Sequence, residues 1–389
     1  MVAAYFQSGR LAVFVLSLFL LAACGGGPSH NMLNVLPATE GGIAAEHRIF
    51  VATTREKAND PSDIYGGQRA RQLSFVDLDV TVPASHQIGR IESPSGNAPR
   101  DPSKHFAARD IGLIGDETTF ERELRADIAK NNGRALVFIH GYRTPFDKSV
   151  YRAAQIKNDA AYGGTTILFS WASTGRTVDY LYDSNSASVA RDGLEHTLRL
   201  VKNAGATRID IIAHSMGNWI LMEALRQFAI SGRTDLRDAL GDVLLASPDI
   251  DVDVFRSQMQ RIGRPDRPFV IMLSDDDRAL QLSSILAGNR PRVGDYRDSE
   301  ELAQLGITVV DLSAIRVEDR LNHTKFAENP VLIQMLGEQL ARDDLSDQTA
   351  MPLEQQIARL TGGVAQTVGS AAAIVITTPL EVINVAVGQ

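Results

Sequence analysis

The feature that most constrains this chain is a regular alternation, between residues 117 and 312, of short apolar runs with longer amphipathic stretches. Helices are expected at 117–130, 146–161, 186–203, 216–230 and 252–261, and strands at 135–139, 165–169, 208–213, 242–246, 269–273 and 307–312. Upstream, 48–53 and 74–82 are β-rich, with a turn-rich stretch at 60–68 and a loop dense in Pro, Ser, Gly and Asn at 91–104. Strands separated by helices of this length cannot pair as hairpins. Their crossovers are right-handed, and the sheet they build is mostly parallel and covered on both faces. The expected class is therefore α/β, with the site beyond the carboxyl ends of the strands.

The reactive residues lie at those ends. The run Ile209-Asp210-Ile211-Ile212 leads into Ala213-His214-Ser215-Met216-Gly217 and directly into a helix. A serine at such a corner is pushed out of the strand path, and small residues two positions away on either side let the bent backbone pass. Ala213 and Gly217 fill those positions, Ala213 in place of the usual Gly. A serine hydroxyl needs a base to become a nucleophile, most often histidine. At this kind of corner the acid and then the histidine follow the serine in the chain. Of eight histidines only His323 lies after Ser215, in a stretch that follows the strand at 307–312. The acid is expected after 269–273, where Asp275, Asp276 and Asp277 are consecutive, while Asp249 after the preceding strand is an alternative. Spacing alone does not choose among them. Two backbone donors must face the developing oxyanion. The N–H of Met216 is one, and the N–H of Tyr142, after His140-Gly141, is the candidate for the other.

At these motifs the chain resembles the α/β-hydrolase superfamily, and within it a bacterial branch of hydrolase-like domains of unknown function. The resemblance spans about 48–340 and rests on His140-Gly141-Tyr142, Ala213 to Gly217, Pro248-Asp249, and Ser274 to Leu280. Arg143 stands where that branch usually has Asn. The last motif implies Asp277 as the acid, and the family implies ester hydrolysis through an acyl-enzyme. Two alternatives stand beside it: a catalytically silent hydrolase scaffold used for binding or assembly, and an amidase or thioesterase with the same triad. Only about twenty residues separate 242–246 from 269–273, so no large inserted lid domain is expected. The loop at 91–104 and the segment 171–184 are expected to rim the site, with Trp171, Tyr180 and Tyr182 as an apolar acyl or alcohol pocket.

The termini read differently. Residues 1–23 hold one cation, an apolar run at 11–21 and Leu21-Ala22-Ala23 before Cys24. This is a secretory signal, too short to span a bilayer. It resembles a bacterial lipoprotein signal, which implies cleavage before Cys24, acylation there with fatty chains, and anchoring in the cell envelope. Gly25 after the cysteine implies, by the same resemblance, the outer membrane. The expected divisions are a tether at 24–46, a hydrolase domain at 47–345 and an apolar tail at 346–389 that packs on the domain. A net charge of −8 without a basic run argues against nucleic acid. No phosphate loop, dinucleotide fingerprint or metal-ligand spacing is present, so no cofactor or metal is expected. The expected partners are a small-molecule or lipid ester and the membrane.

Overall fold

A computed structural model describes residues 33–37, 42–59, 63–95, 98–232, 236–341, 371–380 and 382–388. It begins with strands β1 (Ile43–Lys57), β2 (Tyr65–Pro83) and β3 (Ala107–Ile114). The alternating part follows as α1 (Glu117–Lys130), β4 (Arg134–Ile139), α2 (Phe146–Asp159), β5 (Thr165–Ser170), α3 (Tyr180–Asn203), β6 (Arg208–His214) and α4 (Met216–Ser231). It continues through β7 (Leu240–Ala246), α5 (Val252–Ile262), β8 (Val270–Leu273), α6 (Arg278–Leu286), α7 (Ser299–Ala303) and β9 (Thr308–Asp311). The last elements are α8 (Lys325–Glu328), α9 (Pro330–Ala341), β10 (Ala371–Thr377) and β11 (Val382–Gly388).

The strands among the described residues join one sheet in the order β11-β10-β9-β8-β7-β6-β4-β5-β1-β2-β3. From β1 through β5, β4, β6, β7 and β8 to β9 every neighbouring pair is parallel. Antiparallel pairs close both edges, β2 and β3 on one side, β10 and β11 on the other. Strand β4 shows why the central runs are apolar throughout. Its Ala135, Val137 and Ile139 pack with α1, α3, α4 and α5 on one face. Its Leu136 and Phe138 pack with α2 and α9 on the other. Burying each of the larger of these, Leu136, Val137, Phe138 and Ile139, contributes about 1.5–3 kcal/mol. Helix starts follow local chemistry: the Asp116 carboxylate caps α1 by accepting from Thr119 N at 2.9 Å, and α4 ends at Gly232 with φ 67°, a left-handed stop.

Only α5 lies between β7 and β8, and α6 and α7 between β8 and β9, so no large lid domain is inserted. Several expectations need correction. The stretch 65–68 is strand rather than turn: Gly67 serves close approach, since a Cβ there would sit 2.7 Å from Thr174 Cα. Strand β3 escaped notice because it is an edge strand whose Arg109 and Asp110 are exposed. The tether boundary moves as well. Leu33 is buried, Leu36 N donates to Ala108 O at 3.0 Å, and β1 begins at Ile43. Of the tail, residues 371–377 form β10, which pairs with β9 at Val375↔Asp311, with Ile374 and Ile376 buried. The signal segment, Cys24 and residues 342–370 lie outside the described residues. No helix among the described residues is long and apolar enough to cross a membrane.

Candidate active site

Ser215 occupies the corner between β6 and α4 with φ 54° and ψ −124°, a backbone state that costs a non-glycine residue about 1–3 kcal/mol. Hydrogen bonds hold it there. Ser215 N donates to Ala246 O at 2.9 Å, and the buried Asn218 amide donates to both Ser215 O (3.0 Å) and Ala246 O (2.9 Å). Two glycines let the neighbouring loop approach. A Cβ on Gly217 would lie 2.6 Å from His140 O, and one on Gly141 would lie 2.8 Å from both Ser215 Cβ and His214 Nδ1. The loop after β4 is thereby pressed against Ser215. Tyr142 lines the same cleft as Ser215. Neither the Tyr142 nor the Met216 N–H has a hydrogen-bond partner among the described residues. Two unengaged backbone donors close to the Ser215 hydroxyl are an arrangement that could receive an oxyanion.

That loop is fixed from below. Trp171 N donates to His140 Nε2 at 3.1 Å and Trp171 Nε1 to His140 O at 2.8 Å, with the two rings stacked 5.2 Å apart. The fully buried Arg55 guanidinium donates to Ser173 O (2.8 Å), Thr144 O (2.6 Å), Ser170 Oγ (2.9 Å) and His140 Nε2 (3.2 Å). Burial and the Arg55 charge push the His140 pKa well down, so its ring is a neutral acceptor at Nε2. Burial also lowers Arg55, to about 10, which leaves it cationic at neutral pH.

His323 reaches the cleft from the segment between β9 and α8. Its Nδ1–H donates to Asp277 Oδ2 at 2.7 Å, which leaves Nε2 as the basic nitrogen. Burial opposes the imidazolium, but the carboxylates of Asp277, Asp249 and Asp319 outweigh it and hold the His323 pKa above its ordinary value. Asp277 is fully buried and does two jobs, because its Oδ1 also caps α6 by accepting from Ala279 N and Leu280 N, each at 3.0 Å. The other acids point elsewhere. Asp275 turns outward to Arg297 at 4.0 Å. Asp276 accepts from Lys325 Nζ (2.6 Å) and Asn322 Nδ2 (2.9 Å). Asp249 accepts from Ser283 Oγ (2.5 Å) and Tyr180 OH (3.1 Å) and pairs with Arg292.

Ser215 and His323 both line one cleft of about 1380 Å³. No hydrogen bond joins the hydroxyl to the imidazole in this geometry; such contacts are commonly long before substrate tightens them. His214 steadies the arrangement. Its Nε2–H donates to His323 O at 3.1 Å, and burial, then the neighbouring His323 charge, push its pKa well down. Neutral His214 therefore orients His323 without repelling its protonated form.

A sequence profile for the family described as an alpha/beta hydrolase of unknown function (DUF900) matches residues 116–339, more than half of the 389-residue chain. The chain belongs to that family. Among solved structures this hydrolase is similar to lipase B of Aspergillus fumigatus, at 13% identity and a TM-score of 0.38, over 63% of this chain and 62% of the lipase. It is also similar to the product of the gene lin2722 from Listeria innocua, at 15% identity and a TM-score of 0.34, over 55% of this chain and 95% of the other. The chain thus spans less than two thirds of the lipase, and neither likeness bears on its substrate. No curated protein matches it.

The expected aromatic pocket is only partly there. Tyr180 lines the cleft, and burial pushes its pKa up to about 12, so it stays a hydrogen-bond donor to Asp249. Trp171 lies fully buried beneath His140 instead, because its indole is needed to hold the loop. Tyr182 faces away, under the Arg69 guanidinium and against Gly67 O, because it lies two residues on along α3, on another side of the helix. Among the described residues of the loop 91–104 only Ile91 and Glu92 line the cleft, together with 87–90, with Thr177 and Tyr180 of the segment 171–184, and with Leu280, Leu282 and Leu286 of α6. Arg55, Asn218, His214, Asp319 and Lys325 were not expected. Asn218 was findable, as a polar residue in the first turn of an apolar helix; a lone arginine in β1 gives no such signal.

Proposed function

We propose that this hydrolase cleaves carboxylic esters through an acyl-enzyme on Ser215. The observation that carries the reading is the placement of a strained, forward-thrust serine and a carboxylate-oriented histidine on one cleft beside two unengaged backbone donors. Ser215 Oγ bonds to the carbonyl carbon while its proton passes to His323 Nε2. The oxyanion is received by the Tyr142 and Met216 N–H groups. Collapse breaks the bond to the alcohol oxygen, which takes the proton from His323, and water then repeats the sequence to release the acid. Asp277 holds the Nδ1–H tautomer throughout and offsets the imidazolium charge. The apolar side chains of α6 that border the cleft offer a wall for an acyl chain or alcohol.

We further propose that the mature chain starts at a lipidated Cys24 and works at the cell envelope, in the outer membrane. The signal-like segment before Cys24 supports this. The enzymatic reading is tested by kcat/KM for short-chain 4-nitrophenyl esters with the wild type and Ser215→Ala. Turnover lost at least about a thousandfold in the variant is expected; equal rates would remove it. The location is tested by fractionating cells that express wild type or Cys24→Ser. Wild type in the membrane fraction and the variant released is expected, and identical partition of both would contradict it.

A further inference from the structure

The chain is acidic overall, with a formal net charge of −8, yet among the residues lining its catalytic cleft Lys and Arg slightly outnumber Asp and Glu. Every carboxylate that faces it is already engaged. Glu92 is held by His86, Asp249 by Arg292, Glu318 by Arg90, and Glu328 lies 3.6 Å from Arg152. Asp319 accepts from Leu321 N, His323 N and Thr324 Oγ1 within the histidine segment. The cations are not matched in the same way. Arg143, Lys148, Arg278 and Arg316 line the cleft, and among the described residues none of their charged groups forms an ion pair within 4 Å, the Lys148 charge acting only at longer range on Asp147. The Arg143 guanidinium donates to Thr177 Oγ1 and that of Arg278 to Arg320 O, the backbone N–H groups of Arg143 and Lys148 are held by the Asp183 and Asp147 carboxylates, and Arg316 makes no hydrogen bond among the described residues.

Their positions tie them to the reacting centre. Arg143 follows Tyr142, the proposed oxyanion donor, and Lys148 stands in the first turn of α2 just beyond it. Arg278 follows Asp277 after β8, and since β6 lies between β4 and β8 in the sheet, the loops carrying these charges flank Ser215 from opposite sides. Lys148 also borders a smaller chamber of about 280 Å³ behind the oxyanion loop, shared with Gly141, His214 and Arg152. Like charges gathered on one cleft repel, and a bound anion relieves that repulsion while gaining charge-assisted hydrogen bonds.

Building on the ester reading, we infer that the natural substrate carries an anionic group, a phosphate or a carboxylate, close to the scissile ester. Lys148 and Arg143 receive it from one wall, Arg278 and Arg316 from the other. The anion belongs either to the acyl part or to the alcohol part of the ester, and matched substrates separate the two. On the acyl side the pair is 4-nitrophenyl valerate and mono-4-nitrophenyl glutarate. On the alcohol side it is 1-butyrylglycerol and 1-butyrylglycerol 3-phosphate.

The expected result is that kcat/KM favours the anionic member of at least one pair by about tenfold or more, mainly through KM, with the preference shrinking as salt is raised. Lys148→Gln and Arg278→Gln, measured separately, are each expected to lower the anionic-to-neutral ratio about fivefold or more. A merely structural role for either side chain would reduce both members of a pair alike. Equal rates within both pairs, or ratios unmoved by both variants and by salt, would overturn the inference while leaving the ester reading intact. Failure to hydrolyse all four esters removes both.

Discussion

Replacing Asp277 with asparagine separates the two jobs of one buried carboxylate. The amide side chain of the variant would keep its oxygen on the N–H groups of Ala279 and Leu280, so the cap of α6 survives. In place of Oδ2 it presents an NH₂ group to His323 Nδ1, which in the wild type lies 2.7 Å from an acceptor. A donor there forces the imidazole proton onto Nε2, the nitrogen that must accept the Ser215 proton. The expected loss is about 10⁴-fold in kcat, or about 5 kcal/mol of transition-state stabilisation. Exchanging a charged for a neutral hydrogen bond costs only about 1–2 kcal/mol of stability. Asp277→Ala is the control: it loses the cap as well, a further 0.5–2 kcal/mol or so, and leaves a buried Nδ1–H unpaired. The assays are hydrolysis of 4-nitrophenyl butyrate and thermal melting. An Asp277→Asn protein retaining activity within about tenfold of wild type would show that the contact with His323 is structural and refute the assignment.

Four further outcomes follow from the same geometry. The His323 base must be unprotonated to act and its pKa is raised, so wild-type kcat/KM should climb with pH along a limb centred above 6.5, moving down in Asp277→Asn; a wild-type midpoint at or below 6.5 contradicts this. Gly141→Ala places a methyl 2.8 Å from Ser215 Cβ and His214 Nδ1, and a fall in kcat of about 10²-fold to 10³-fold is expected as the Tyr142 donor is displaced, read by steady-state kinetics against a melt. Lys325→Met removes the buried ammonium's hydrogen bonds to Ser274 Oγ, Asp276 Oδ1 and Leu312 O, with a loss of about 1.5–3 kcal/mol in chemical denaturation; an unchanged midpoint would mean the ammonium is dispensable. Ile376→Ala should cost about 2–5 kcal/mol if β10 is an integral edge of the sheet, and no change in melting would detach the tail from the fold.

Much of this architecture was legible because the central strands are buried on both faces and so read as unbroken apolar runs, while the helices between them carry caps and stripes. Helix 117–130 and the start of α4 at Met216 fall where the sequence puts them. The corner serine was visible for a local reason, small residues on either side of a strand-to-helix junction. His323 was visible for a global one, since no other histidine follows Ser215. What escaped was non-local. The edge strand β3 and the terminal hairpin take their identity from the partners they meet, not from internal periodicity. Trp171, Tyr180 and Tyr182 share composition and neighbourhood, yet one supports a loop, one lines the cleft and one faces away. Arg55 reaches His140 across 85 positions, and its strand gives no local sign of a buried cation.

The central claim is that Ser215 Oγ is a nucleophile activated by His323, and a fluorophosphonate probe measures it directly. Wild type should take up the probe at one site, with the added mass on the peptide that contains Ser215. Ser215→Ala should take up none, and His323→Ala should react at least about a hundredfold more slowly. Equal labelling of wild type and Ser215→Ala, or a stable wild-type protein that never labels, would contradict the account.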